Sequence, residues 1–242
     1  MQGSKTNRFF KRGAVIISLL LAVYLVYRIM VFLAPALNVR VITSENPPEG
    51  FSLKTGDMLA RPNWNWLPGS AVVREGSYSG HVSIVIKGAE GKSITEALRK
   101  AIVIEGVIFD QSTRKFIFGS KDIIRRTSAI ISFGERFRGR RYILRMDLDE
   151  RQQKFLIRFL SAQLDDDHYT IFSFKEKTSF PPGSAEAYRS ADRDQWNCAS
   201  LAWFAYHYVT GKDIDANKGI LIYPNDIIRS HYFDLPGRRI RF

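Results

Sequence analysis

Three side chains in this 242-residue chain could together carry covalent chemistry: a thiol, an imidazole and a carboxylate set inside an apolar run. Cys198 is the single cysteine. It follows Trp196-Asn197 and opens a segment whose spacing predicts a helix from about Cys198 to Val209. A thiol in a first helical turn meets the positive end of the macrodipole and unpaired backbone N–H groups, which lower its pKa and can bind a developing oxyanion. The placement therefore predicts a thiolate. Cys198, Leu201, Ala202, Ala205 and Val209 fall on one face, so the sulfur points toward whatever sheet the helix packs on. The competing reading is a small buried hydrophobe, since free cysteine is among the most buried residue types.

A nucleophile needs a base, and the chain has four histidines. His207 lies on the same predicted helix, about 13.5 Å away by rise, too far to serve. His231 sits in a polar tail and His168 follows three aspartates. His81 opens the strand-like run His81-Val82-Ser83-Ile84-Val85-Ile86, where a rigid backbone can present an imidazole to a helix N-terminus; a purely structural histidine is the alternative. A third group should orient the ring. Glu105 is out of place in the run Ala101 to Ile108, because a buried carboxylate is costly unless paired. It asks for a partner such as His81, unless it faces solvent on an edge strand. Asp110 is the second candidate for that role.

Several other chemistries are excluded. One cysteine rules out an internal disulfide framework and any Cys-rich zinc or iron–sulfur site. Gly91-Lys92-Ser93 resembles the end of a phosphate-binding loop, but Ile86 stands where that motif needs glycine. Asp165, Asp166 and Asp167 lack the glycine and terminal glutamate of a calcium loop and read as a solvated helix end. No HExxH or paired-histidine pattern is present, so no metal site is expected.

At 45% hydrophobic and 25% charged, the composition is globular rather than collagen-like, low-complexity or disordered. The net charge is +12, with arginines gathered at Arg136, Arg138, Arg140, Arg141 and Arg145 and at Arg238, Arg239 and Arg241. Anionic headgroups or envelope polymers suit such patches, unless they are scattered solvated side chains. Nucleic acid is not expected, since no zinc-finger, K-homology or RNA-recognition motif is present.

The elements that must position these groups begin with a membrane segment. Residues 1–13 are basic and residues 14–37 are apolar apart from Arg28. As a helix the second stretch would span roughly 36 Å, enough for the hydrocarbon core, with the basic flank cytoplasmic. Arg28 would cost roughly 2.5–3.5 kcal/mol on insertion unless it snorkels. An uncleaved signal-anchor is the reading taken; cleavage after Ala34-Pro35-Ala36 and a buried soluble helix are the alternatives. Residues 38–50 read as a linker and 51–242 as one domain. Within it, strands are expected at Val82 to Ile86, Ala101 to Phe109, Asp122 to Ser132 and Arg141 to Met146, after a turn at Lys54 to Asp57. Glu90 to Lys100 is a short helix or a long hairpin loop. Asp149 and Gln152 form a capping-box pattern ahead of Phe155, Leu156, Phe159, Leu160 and Leu164 on one helical face. Tyr223 to Asp226 reads as a turn. The mixture is α+β, an antiparallel sheet packed against the helix that bears the cysteine.

Gly56-Asp57-Met58-Leu59, Gly80-His81-Val82-Ser83-Ile84-Val85-Ile86 and Asn197-Cys198-Ala199-Ser200-Leu201-Ala202-Trp203 resemble, in that order, the circularly permuted branch of the NlpC/papain-like cysteine hydrolases, the YiiX-like and lecithin retinol acyltransferase-like proteins. Ordinary members place the cysteine first. The resemblance covers about Gly50 to Ser230 and implies a permuted papain-like fold with Cys198 as nucleophile, His81 as base, Glu105 as the polar third member and Asp57 as a structural residue. The insertion Gly88 to Lys100 lengthens the usual interval between His81 and Glu105. Trp196 and Asn197 could shape the oxyanion site, and Tyr78, with Trp64, Trp66 and Phe137, could line an acyl site, though scattered aromatics are more often core.

The function implied is a membrane-anchored, envelope-facing thiol hydrolase that cleaves an amide or ester through an acyl-enzyme and needs no cofactor. Its substrate would be a cell-wall peptide, as for ordinary members, or a lipid or N-acyl compound, as for the permuted branch. Transfer of the acyl group to another acceptor is the alternative, and a non-catalytic envelope ligand-binding module of the same fold is the other. The expected location is the bacterial inner membrane, with the domain facing the periplasm or cell exterior.

Overall fold

The computed structural model describes residues 12–26, 51–62, 79–107, 109–110, 115–116, 123–133, 141–164, 175, 181–184, 196–219 and 222–241. Residues 12–26 form a helix, α1, whose apolar side chains, among them Val15, Leu19 and Val23, are exposed. No helix among the described residues is long and apolar enough to cross a membrane. Residues 27–37 of the expected span and the expected linker lie outside those described.

The domain is α+β. Strands β1 (Phe51–Leu53), β2 (Met58–Pro62), β3 (Ser79–Lys87), β4 (Ala89–Gly91) and β5 (Ile102–Gly106) are followed by the short pair β6 (Phe109–Asp110) and β7 (Lys115–Phe116), then by β8 (Ile124–Ser128), β9 (Tyr142–Leu144) and β10 (Arg239–Arg241). The central sheet has the order β10-β9-β2-β3-β5-β8 with every neighbour antiparallel. Period-two alternation gives each strand two buried faces. Met58, Ala60, Val82, Ile84, Ile104, Tyr142 and Leu144 pack under α4 (Glu150–Ala162) and α5 (Cys198–Thr210). Leu59, Val85, Val103 and Ile143 pack on the other side, under β1, α2 (Ile94–Lys100) and α3 (Ala129–Phe133).

The helix starts follow local chemistry. Asp149 and Gln152 close the expected capping box on α4, burying Leu156, Phe159 and Leu160. Ser93 caps α2, which resolves the Glu90 to Lys100 ambiguity as a short strand and a helix. Asn197 and Ser200 cap α5 reciprocally, and Gly211 ends it in the left-handed conformation at φ 69°.

Two expectations need correction. The segment from Asp122 to Ser132 is not one strand: β8 ends at Ser128 and Ala129-Ile130-Ile131-Ser132-Phe133 turns into α3, whose isoleucines read as β-branched strand while Ala129, Ile130 and Phe133 pack against the sheet face. Tyr223 to Asp226 is not a turn but the start of α6 (Pro224–Ile228), with proline in its first turn. Of the arginines in the two clusters, Arg145, Arg238 and Arg239 are engaged within the fold. Arg145 holds Asp57, Arg238 pairs with Asp147, and the buried Arg239 donates to the carbonyls of Ile228 and Ser230 at 2.9 Å and to Asp234 at 2.8 Å.

Asp57 fastens the turn that launches β2. Its carboxylate accepts from Arg145 Nε at 2.8 Å and Nη2 at 2.7 Å, a two-point fork, and from the Lys54 amide at 2.8 Å. The same guanidinium reaches the Ser52 carbonyl. Burial raises the Asp57 pKa and the Arg145 fork draws it back. Gly56, at φ 90°, donates its amide to Val85 and leaves no room for a Cβ, which would sit 2.7 Å from Leu148. Replacing Asp57 by Ala strands a half-buried guanidinium and should destabilise the fold by about 3 kcal/mol in denaturant unfolding. Removing both partners, with Asp57→Ala and Arg145→Met, should cost less than the single change.

Candidate active site

The site grows from an interruption in the sheet. Strand β3 pairs with β5 only from Ile84 to Lys87, although β3 runs on along β2 to Ser79 and β5 runs on along β8 to Gly106. Beyond Ile84 and Ile104 the two strands part, and the first turn of α5 enters the gap. A Cβ on Gly106 would lie 3.1 Å from the Ile124 side chain and 3.5 Å from the Cys198 nitrogen, so the start of α5 lies close against this lip of the gap.

Across the same gap His81 and Glu105 meet. His81 Nε2 lies 2.8 Å from Glu105 Oε2, and both side chains are buried. The expected pairing of Glu105 with His81 is thus present. Glu105 is only 1% exposed, and four donor contacts meet its charge. Ser132 Oγ lies 2.5 Å from Oε2 and 2.9 Å from Ser83 Oγ; its one proton goes to the carboxylate, so Ser83 donates to Ser132. Arg125 Nε and Nη2 donate to Oε1 at 3.0 and 2.9 Å. Burial would raise the carboxyl pKa, but His81, Arg125 and Ser132 overcome it and hold the group well below the usual carboxylate range. Glu105 is therefore ionised.

The imidazole is driven the other way. Burial, then the charge of Arg61, outweigh the Glu105 hydrogen bond and push His81 down to about 4. At neutral pH the ring is neutral. With the Glu105 carboxylate accepting from Nε2–H, Nδ1 is the basic nitrogen. Arg61 stands directly opposite His81 in the β2–β3 ladder, is 4% exposed, and donates its Nε–H to the Ser132 carbonyl.

The sulfur reaches the same place from the α5 side. Cys198 is 7% exposed, and its sulfur accepts from the Val82 amide, on the peptide that joins Val82 to His81. Among the described residues no hydrogen bond joins sulfur to imidazole. The expected thiolate is not what the site favours: burial raises the thiol pKa above its ordinary value, and the Val82 and Ala199 amides and Arg61 only partly offset it. The resting pair is a neutral thiol beside a neutral imidazole.

The other expected positions divide. Trp196 is fully buried, its indole N–H donates to Gln163 Oε1 at 3.0 Å, and its ring meets Phe159 and Phe204 edge-on, so this side chain builds the core rather than a substrate wall. Asn197 Oδ1 caps α5 by accepting from the Ser200 amide at 2.8 Å, which leaves its main chain to border the gap. Asp57 is 1% exposed and bound to Arg145, in the turn ahead of β2. Tyr78, Trp64, Trp66 and Phe137 lie outside the described residues, as does the side chain of Asp110. Among the described residues no group of three or more His, Cys, Asp and Glu is placed to hold a metal ion. Arg61, Arg125, Ser83 and Ser132 were not singled out by the sequence. For Arg61 the available signal was charge inside the largely apolar strand β2, the signal that found Glu105; Arg125, in the polar strand β8, offered none.

No family model matches the chain, and no curated protein matches it. Among solved structures, the crystal structure of metalloprotein YiiX from Escherichia coli O157:H7 is similar over 78% of this chain and 96% of that chain, at 15% sequence identity and a TM-score of 0.43. Similarity at this level carries no residue-by-residue correspondence, so the site stands on its own geometry.

Proposed function

We propose that the protein is a thiol hydrolase of permuted papain-like type that cleaves an amide or ester through an acyl-enzyme on Cys198. The observation that carries this reading is the buried Glu105–His81 hydrogen bond across the strand gap into which the Cys198 sulfur is set. In the proposed cycle the sulfur attacks the substrate carbonyl carbon while its proton passes to His81 Nδ1. Glu105 orients the resulting imidazolium through Nε2–H and balances its charge. The tetrahedral intermediate collapses as His81 returns that proton to the departing amine or alcohol, leaving a thioester. His81 then takes a proton from water, whose oxygen attacks the thioester, and the acid leaves as the thiol is restored. In this cycle the first-turn amides of α5 would serve as the oxyanion donors.

The basic residues 1–13 and apolar residues 14–37 support anchoring in the bacterial inner membrane, with the domain on the periplasmic or outer side. That setting puts cell-wall peptides and lipid or N-acyl compounds within reach as substrates, and a lipid acceptor in place of water would make the same intermediate an acyltransferase. A papain-like module that binds an envelope ligand without turning it over is the second reading. The burial of the sulfur and its raised pKa favour it.

Two measurements decide between them. The detergent-purified chain, offered p-nitrophenyl acyl esters of graded length and cell-wall peptides, should release a stoichiometric burst and gain one acyl mass on its only cysteine. Cys198→Ala should abolish the adduct, and His81→Ala should lower turnover about 10³-fold. No adduct and no turnover with either substrate class would leave the binding module. The second measurement is pH dependence. Neutral His81 is the base, so kcat/KM should fall as pH drops through about 4, while alkylation of Cys198 by iodoacetamide should accelerate only above the ordinary thiol range. An acid limb near 6.5 would mean that the imidazole is not held neutral by burial and Arg61.

A further inference from the structure

From the geometry of Glu105 we infer that Arg125 is a positioning residue of the site, whose two-point grip on Oε1 fixes the plane of the carboxylate so that Oε2 faces His81 Nε2. The inference rests on the acyl-enzyme reading above and adds to it a residue that touches neither substrate nor sulfur. Glu105 and Arg125 are direct partners in the β5–β8 ladder, so both side chains stand on one face of the sheet. Arg125 Nε and Nη2 lie 3.0 and 2.9 Å from the same oxygen, Oε1, and the guanidinium is 18% exposed at the edge of the sheet, where part of its charge stays hydrated.

The carboxylate has two other donors, and both are on Oε2: His81 Nε2 and Ser132 Oγ. Without a hold on Oε1 the plane of the group can swing about its broad terminal torsion and draw the accepting oxygen off the line of the His81 Nε2–H bond. A guanidinium fork sets direction as well as charge; an ammonium sets charge alone. Charged and titratable groups face the dyad from every side: Arg61 from β2, Arg125 from β8, the Cys198 thiol from α5, and the Ser83 and Ser132 hydroxyls from β3 and α3. Of the two arginines, Arg125 touches the carboxylate while Arg61 binds the Ser132 carbonyl. The positive charge of Arg125 also disfavours the imidazolium, in the same direction as Arg61.

The test separates charge from direction. In Arg125→Gln the acid limb of kcat/KM should move upward by about one pH unit, because a cation near the imidazole is lost, and kcat should fall about tenfold from misorientation. The His81 imidazole proton shifts, followed by NMR in the same detergent-solubilised full chain, should titrate with the same displacement without any substrate. Arg125→Lys should keep the acid limb of the parent yet lose kcat about tenfold. If Arg125→Gln fails to fold, the lysine variant decides alone: parental kcat would overturn the assignment. A parental limb and unchanged imidazole titration in Arg125→Gln would also overturn it. A parent chain with no acyl adduct on Cys198 would instead sink the hydrolase reading, while the NMR titration would still report on the grip of Arg125.

Discussion

A carboxylate held at 1% exposure in the middle of a sheet must be met by donors, and the architecture around Glu105 is arranged to supply them. β3 delivers His81, β8 delivers Arg125, and α3 delivers Ser132, which Ser83 and Arg61 hold from two further directions. Each of these contacts depends on a separate piece of topology: the antiparallel neighbours of β5, the register of the β5–β8 ladder, and the turn that converts the end of β8 into a helix. Losing any one would leave charge or a polar group unpaired in a dry place, where the cost exceeds that of a lost surface contact.

The charge bookkeeping also explains the protonation states. Glu105 is ionised because its donors outweigh burial, whereas His81 and Cys198 have no comparable compensation and stay neutral. In the proposed cycle, the neutral pair would develop charge only when a substrate carbonyl is there to take it up. Arg61 lies close enough to influence imidazole and sulfur alike, and it acts on them in useful senses, lowering both pKa values.

Much of this was legible in the sequence, for local reasons. An acid inside Ile-Val-Ile-Glu-Gly has few tolerable fates, and a polar residue opening an apolar strand is a natural partner, so the Glu105–His81 pair could be expected from patterning alone. Capping residues announced α4 and α5 in the same way. What escaped depended on register and depth. Arg125 and Arg61 matter because of which residue stands opposite them, and a single sequence does not give strand pairing. Ser132 was hidden by the isoleucines before it, which imitate a strand while packing as a helix. The thiolate expectation counted the helix N-terminus and omitted burial, which is the larger effect on this sulfur.

The seat of the sulfur in the strand gap ties the chemistry to the mechanics of the sheet. Where β3 and β5 have no ladder bond to share, the Val82 amide is satisfied by Cys198 instead of by a neighbouring carbonyl, so the sulfur is itself a stitch in the seam. Any group bonded to that sulfur reduces its capacity to accept the amide hydrogen. In the proposed acyl-enzyme the seam would have one stitch drawn, and hydrolysis would restore the thiol and, with it, that hydrogen bond.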